Sequence, residues 1–545
     1  MNKQFAIVTL IVIAVGAAVG GLFGRLPART SAEGGTSTEK VVADYREALD
    51  VIDANYFATA DHEKLSDMSM QSMLWTLDPH SSFFTAAEYR KLNEEQSSQY
   101  YGIGVSILQH RDGVYVQSVF PNTPADKVGL RYGDRFVTVE GKDAKEWTSG
   151  EVSKNVRGEL GTNVKVQIDR VGSQTPLDFE ITRGGVPLPS IRNFFMLPDG
   201  VGYVGLTGGF QQTTSEELSI AIADLKKRGM KSLILDLRGN PGGILEQSVA
   251  VVSKFVEGGQ TVVSVKGAKS VPTRELRATG GNVESMPLVV MINGGSASAS
   301  EIVAGAIQDY DRGLIVGSDS FGKGLVQRVF RLPYGSGLTL TIARYYTPFG
   351  RSLQREYSGG SIYDYYTHGD DRPENADLDV KPKPDGVPVT TANGRVLYGG
   401  RGIEPDIVVP PQPASAARAR INEAAFFFMR RLVAGKVNGF GDSKVEKQNF
   451  RQTLQPGEFG ISDRLFEAFR LNASADPKNG LTIANIDSEA AYARKRLREE
   501  LATANYSTEA GVQVLLEADP QVLKAIEAIP QAQGLVARSR PFATN

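Results

Sequence analysis

A multidomain α/β chain, with a β-rich module set into a mostly parallel α/β core and helical regions at both ends, is the fold class that three patterns predict. Between residues 201 and 410, short apolar runs alternate with helical stretches, as expected of parallel strands joined by crossover helices. From 101 to about 183 the pattern changes to short alternating runs punctuated by glycine, the mark of half-buried strands. Beyond about 414 the apolar residues recur at helical spacing.

Composition narrows the function. The 545 residues are 41% hydrophobic and 22% charged, enough to bury several cores. Lys+Arg number 60 against 62 Asp+Glu, a formal net charge of -2, and no dense basic stripe appears, so a nucleic-acid partner is not expected. The chain has no cysteine, which removes thiol nucleophiles, thiolate metal sites and disulfides. Its four histidines, His62, His80, His110 and His368, are scattered with no His-x-x-x-His pair. Neither a metal nor another cofactor is expected.

The elements follow in order. After Lys3 comes an uncharged apolar run, 5–23, that ends before Arg25 and is near bilayer-spanning length. It predicts a signal-anchor over 1–27 and a Gly/Ser/Thr-rich linker over 28–40, with the bulk of the chain extracytoplasmic. In 41–97, Tyr45, Leu49, Ile52 and Tyr56 have helical spacing, interrupted by the turn LDPHSSF at 77–83. His80 reads there as a turn residue after a proline. Strands are expected at 102–107, 113–116, 135–139 and 164–168, with a short helix within 121–130. In the core, a strand at 202–206 precedes an amphipathic helix at 216–227. A buried strand at 232–237 runs into RGNPGG, and another at 287–292 ends in NGGSASASE and a helix through Tyr310. Functional loops are expected at these strand C-termini. The segment 354–402, with Tyr365 and Tyr366, reads as a surface excursion. Pro520 starts a helix whose Val522, Leu523, Ile526 and Ile529 line one face, for packing or a subunit contact.

The stretch GSDSFGKG, 317–324, imitates a phosphate-binding loop. A P-loop needs Ser or Thr after its lysine to ligate magnesium, and then a helix; here Gly324 follows, and 325–332 reads as a strand. The S-x-x-K spacing of Ser320 and Lys323 fails similarly, because two glycines flanking the lysine disfavour a helix. A lysine without a nucleotide can serve as a base if it is held neutral, and it then needs a hydroxyl. Ser298 heads the candidates, in a glycine-rich strand-to-helix turn whose helix N-terminus offers N–H groups to an oxyanion. The same residues, Ser298 to Glu301, also spell a capping box, and Ser296 and Ser300 are equally small. Spacing alone does not choose among the three.

The ordered motifs do. The module from 101 onward closely resembles a PDZ domain, with Tyr101, Gly102, Ile103 and Gly104 where such domains hold a peptide carboxylate on backbone N–H groups. Together with LDPHSSF, LRGNPGG (237–243), GSASASE (295–301), SFGKG (320–324) and GIEPD (402–406), the chain resembles the C-terminal processing peptidases, serine–lysine proteases with an embedded PDZ domain. The likeness runs from about 44 to 410; the family commonly has another residue where Gly239 stands. It implies a PDZ domain over 98–185, inserted before a mostly parallel α/β protease core over 186–412, while the helical spacing beyond it gives a C-terminal helical region over 413–545. It places the nucleophile on Ser298, the general base on Lys323 and a lysine-orienting glutamine on Gln327. The last agrees with i and i+4 sharing a face. The oxyanion donors fall on the N–H of Ala299 and on Gly242 or Gly243, which stay unresolved. The partners implied are protein substrates with free apolar C-termini and the inner membrane, with an adaptor protein and a homo-oligomer left open. The rival readings are a non-catalytic PDZ scaffold and a nucleotide-dependent enzyme.

Overall fold

The computed structural model describes residues 37–96, 98–267, 271–357, 386–412, 415–451, 453–455 and 457–539. The expected anchor, most of the linker and, within the excursion read at 354–402, residues 358–385 with Tyr365 and Tyr366 lie outside the described residues; at its described ends, Gln354, Thr391 and Leu397 are buried rather than on the surface. Among the described residues, no helix is long and apolar enough to cross a membrane. Two compact units divide the chain at Ser72/Met73. The first holds helix α1 (Thr38–Asn55), begun by Ser37 whose Oγ accepts the Lys40 N–H, and most of α2 (His62–Trp75).

In the second unit, a six-stranded sheet has the order β10-β11-β12-β15-β16-β21. These strands are Ile191–Met196, Val201–Leu206, Ser232–Asp236, Leu288–Ile292, Leu314–Gly317 and Ile407–Val408. All neighbours are parallel except β10 on β11. A parallel sheet is covered on both faces, which is why LIL (233–235) and LVVMI are apolar without alternation and wholly buried. One face carries α6 (Thr214–Lys227), α7 (Leu245–Val252) and α8 (Ala299–Asp309). Against the other lies α14 (Pro520–Ser539), packing on Ile234, Val289, Met291 and Val316.

That helix corrects one expectation. Of the expected face, Val522 is buried and Ile526 and Ile529 pack partly buried on the core, but Leu523 is 46% exposed, and Ala525, Ala528, Ala532 and Leu535 complete the buried side. Small alanines let it lie close to the sheet, and a reading weighted to large side chains passes over them. The buried side serves the chain's own core.

A second, antiparallel sheet forms the cleft wall. Its long strand β18 (Gly337–Tyr346) pairs with β1 (Ser82–Phe84), β13 (Thr261–Gly267) and β17 (Leu325–Arg331), and β14 (Arg274–Arg277) pairs with β13. The β-rich module orders its strands β3-β4-β5-β7-β8: Val105–His110, Gly113–Val119, Arg135–Val139, Asn163–Asp169 and Leu177–Thr182. A separate pair joins β2 (Gln99–Gly102) to β9 (Gly184–Pro187). Helices α4 (Pro124–Val128) and α5 (Ser149–Val156) complete the module. The strand expected at 102–107 is broken, because Gly104 has φ +86° and a Cβ there would meet Thr123 at 2.3 Å. Behind the module, α9 (Ala416–Val433) and the helices after it form a core that takes in Tyr115 and Tyr132. His110 Nδ1 lies 2.8 Å from Glu423, and Tyr132 donates to Glu500 at 2.7 Å.

Truncating Ile234, buried between sheet and α14, creates a cavity and should cost about 2–5 kcal/mol in urea unfolding. Leu523→Ala should stay within ~0.5 kcal/mol of the parent, as exposed positions do. A larger loss for Leu523→Ala would place it in the core.

Candidate active site

Three strand ends build the site. The first is the turn after β15. Ser298 opens α8 with φ +56° and ψ -111°, a region that non-glycine residues occupy only under constraint. Its N–H donates to Glu301 Oε2 at 2.8 Å, within a capping box that the two residues form.

The neighbouring serines are spoken for. Ser296 Oγ donates to the Leu237 carbonyl (2.8 Å) and accepts the Asn293 N–H (3.0 Å). Ser300 Oγ donates to the Asn240 carbonyl at 2.9 Å. Both are fully buried and tie this turn to the 237–243 loop, whereas Ser298 is half-buried and lines the cleft. The structure therefore separates three serines that spacing left equal.

The second strand end leads from β16 through Gly317–Gly324 into β17. No helix follows Gly324, so the loop has neither the hydroxyl nor the helix of a phosphate site. Lys323 Nζ donates to Gln327 Oε1 at 2.9 Å. The expected geometric reason needs correction. Lys323 precedes the strand, and a bulge lies between Val326 and Gln327, so a shared strand face does not bring the two together. Burial holds the Lys323 pKa below the ordinary lysine value, against the upward pull of the Glu301 and Asp78 carboxylates.

Glu301 joins the two loops. Fully buried, it accepts N–H groups from Ser298 and Lys323 on Oε2 (2.8 and 2.9 Å). Oε1 accepts the Gly322 N–H and the Ser320 hydroxyl (2.7 and 2.5 Å). Burial pushes its pKa up, and these four bonds pull it back. Sequence reading saw Glu301 only as a cap.

The third strand end is the 237–243 loop after β12. Arg238 bonds the Asp236 carboxylate (2.7–3.0 Å) and reaches Asp519 and Gln521 at the start of α14 (2.8 Å each). Gly242 has φ +100°, and a Cβ there would stand 2.8 Å from Ser298 Cβ and 3.0 Å from the Ala299 nitrogen. Its N–H donates to Asn240 Oδ1 at 2.9 Å. The N–H groups of Gly243 and Ala299 have no hydrogen-bond acceptor among the described residues.

These groups line a cleft of about 940 Å³ that holds Ser298, Lys323, Gln327 and Gly243 together. Its walls mix apolar side chains, Val265, Val271, Ile342 and Tyr345 among them, with polar and charged ones such as Glu246, Arg274 and Arg328. His80, read as a turn residue, also lines it. Burial, then the nearby Lys323, lowers its pKa to about 4 against the pull of Asp78, which keeps the imidazole neutral at ordinary pH. Its place in the LDPHSSF motif was the available signal.

The expected carboxylate loop lies elsewhere, in the β-rich module. Tyr101 and Gly102 pair with Gly185 and Gly184. Ile103 and Gly104 make the turn, their carbonyls accepting the Ala125 and Phe120 N–H groups (2.8 and 3.0 Å). Their own N–H groups have no acceptor among the described residues. β3, which follows, is a terminal strand of its sheet, so one edge is open to an added strand.

Two family models match the chain: Peptidase family S41 over residues 200–366 and PDZ domain over residues 102–181. A carboxy-terminal-processing protease of Bartonella bacilliformis is 35% identical over 323 residues, 58% of this chain and 74% of that protein. The carboxy-terminal processing protease CtpA of Bacillus subtilis is 32% identical over 313 residues, 57% of this chain and 66% of that protein. A solved photosystem II D1 C-terminal processing protease is 27% identical and covers 69% of this chain and 94% of its own, with a TM-score of 0.35.

Gly242→Ala should slow labelling of Ser298 by a fluorophosphonate about 10²-fold or more, since a Cβ there displaces the Ser298–Ala299 backbone. Gly239→Ala, at φ +67° with open space around it, should label near the parent rate. It should lose only the about 1–2 kcal/mol of left-handed backbone strain. Equal labelling of Gly242→Ala and the parent would show that this approach does not shape the site.

Proposed function

Because the chain belongs to peptidase family S41, the carboxy-terminal processing proteases with a PDZ domain, we propose that it is a serine endopeptidase cutting protein substrates near their C-termini with a Ser298–Lys323 dyad. The observation that carries the reading is one cleft lined both by a serine held at positive φ and by a lysine desolvated by burial and held by Gln327. Ser298 Oγ attacks the scissile carbonyl while the neutral Lys323 amine takes its proton. The tetrahedral oxyanion is held by the N–H groups of Ala299 and Gly243, since Asn240 occupies that of Gly242. Lys323 returns the proton to the leaving amine, then deprotonates the water that hydrolyses the acyl-enzyme. No step draws on a metal or cofactor.

Substrate choice falls to the PDZ domain. N–H groups of the Ile103–Gly104 turn hold the terminal carboxylate, and the open edge of β3 pairs with the residues before it. The apolar run at 5–23 supports an extracytoplasmic site of action at the inner membrane.

Ser298→Ala should abolish peptide hydrolysis and fluorophosphonate labelling with the fold intact, while Ser296→Ala and Ser300→Ala keep substantial activity. Turnover by Ser298→Ala would remove the serine from this role, and a wild-type chain that neither labels nor cleaves would favour a non-catalytic scaffold instead. Since only the neutral amine accepts a proton, activity should rise with pH along one basic limb, centred below the ordinary lysine value near ~10.4. Lys323→Arg, protonated throughout, should be inactive, and Gln327→Ala should lose less. An active Lys323→Arg would remove the lysine from this role.

The carboxylate reading has its own test. An unstructured substrate with an amidated C-terminus should be cleaved more slowly than the free acid, because charge-assisted hydrogen bonds are lost. Equal rates would leave the dyad standing and the end-recognition without support.

A further inference from the structure

The turn at 77–83 spends three buried polar residues on one small structure. Asp78, His80 and Ser81 are all buried. Asp78 Oδ1 accepts the N–H groups of His80 and Ser81, both at 2.8 Å, and Oδ2 accepts the Ser81 hydroxyl at 2.7 Å. An exposed Asx turn needs only the first of these. Burying a carboxylate costs several kcal/mol unless its bonds compensate, so this one is expected to serve something beyond the bend.

What the turn grips is the partner of the lysine. The His80 carbonyl accepts a hydrogen bond from Gln327 Nε2. Ser81 Oγ accepts the N–H of Thr341 at 3.2 Å, and Thr341 is the residue opposite Gln327 in the β17–β18 pairing. Ser82 then continues into β1, opposite Thr339. Gln327 and its cross-strand neighbour are thus both held by one turn, at the bulge that frees Gln327 from the regular strand.

We propose that Asp78 is a positioning residue for catalysis, acting through the His80 carbonyl to fix which way the Gln327 amide faces. The inference rests on the Ser298–Lys323 reading. A glutamine amide has one accepting and one donating end of nearly equal shape. With Nε2 on a carbonyl, Oε1 must face Lys323, where it accepts one N–H and leaves the amine lone pair directed away from Gln327. Turned over, the amide would present an N–H to that lone pair and occupy it, leaving Ser298 without a base. The group that matters at position 80 is the carbonyl, not the imidazole.

A double-mutant cycle on the full chain tests this, with kcat and KM measured on an unstructured polypeptide and Ser298 labelling followed alongside. Asp78→Ala should lower kcat about tenfold or more, part of the 10²–10⁴-fold worth of a general base, with KM nearly unchanged. In a Gln327→Ala background the same substitution should cost less than about threefold, because its effect runs through the missing amide. Asp78→Asn, which keeps Oδ1, should recover most of the lost kcat. If Asp78→Ala does not fold, Ser81→Ala enters the cycle instead, with the same collapse expected in the Gln327→Ala background. Equal losses in both backgrounds, with labelling of wild-type Ser298 intact, overturn the positioning role alone. Turnover by Ser298→Ala overturns it together with the dyad.

Discussion

A single buried carboxylate fastens the site together. One oxygen of Glu301 accepts the N–H of Ser298 and the N–H of Lys323, and the other accepts Gly322 and Ser320. The two loops leave adjacent parallel strands, β15 and β16, and nothing in the sheet itself would set their tips in register. A charge in this place is expensive, and removing any one donor would leave part of it unpaired. That cost makes the arrangement all-or-none. Ser298 also stays at positive φ, because its N–H, its helix and its neighbours Ser296 and Ser300 are each committed.

The remaining parts are tied to this joint from outside. Ser296 and Ser300 bond the carbonyls of Leu237 and Asn240, so the 237–243 loop follows the Ser298 turn. On its far side the same loop is held by Arg238, which spans from Asp236 to Asp519 and Gln521. Helix α14 therefore does more than cover the sheet, since its first residues anchor the loop that carries Gly242 and Gly243. The helices from α9 onward hold the PDZ domain through buried aromatic and charged contacts, with His110 stacked 3.8 Å from Phe426 and Arg430 bonded to Gly133 and Asp169. The PDZ domain and the cleft loop are thus both supported by one C-terminal region.

How far the sequence foretells this depends on the range of the interaction. Strands β12 and β15 and helix α6 were legible, because burial on both faces or on one stripe leaves a local pattern. Rejection of the phosphate loop was equally local, resting on Gly324 and the β-branched residues after it. Choosing Ser298 over Ser296 and Ser300 was not legible from spacing. The difference lies in hydrogen bonds to Leu237 and Asn240, some 60 residues away in sequence. Glu301 looked like a cap for the same reason, since three of its four donors come from a later loop. His80 passed for a plain turn residue because its bond to Gln327 is made by a carbonyl, which every residue has. The outward turn of Leu523 went unread because the face beside it is built of alanine.

The resemblance of GSDSFGKG to a phosphate-binding loop then has a physical explanation. A phosphate loop works by turning successive backbone N–H groups, freed by glycines, onto an anion. Here the N–H groups of Gly322 and Lys323 are turned onto an anion in the same manner, and that anion is the carboxylate of Glu301. The loop is an anion-binding loop whose ligand is supplied by the chain itself. Its lysine side chain is therefore not needed to neutralise a phosphate. Its amine donates instead to Gln327, and burial favours its neutral form. One backbone device serves both chemistries, and the residue that fills it decides which chemistry is possible.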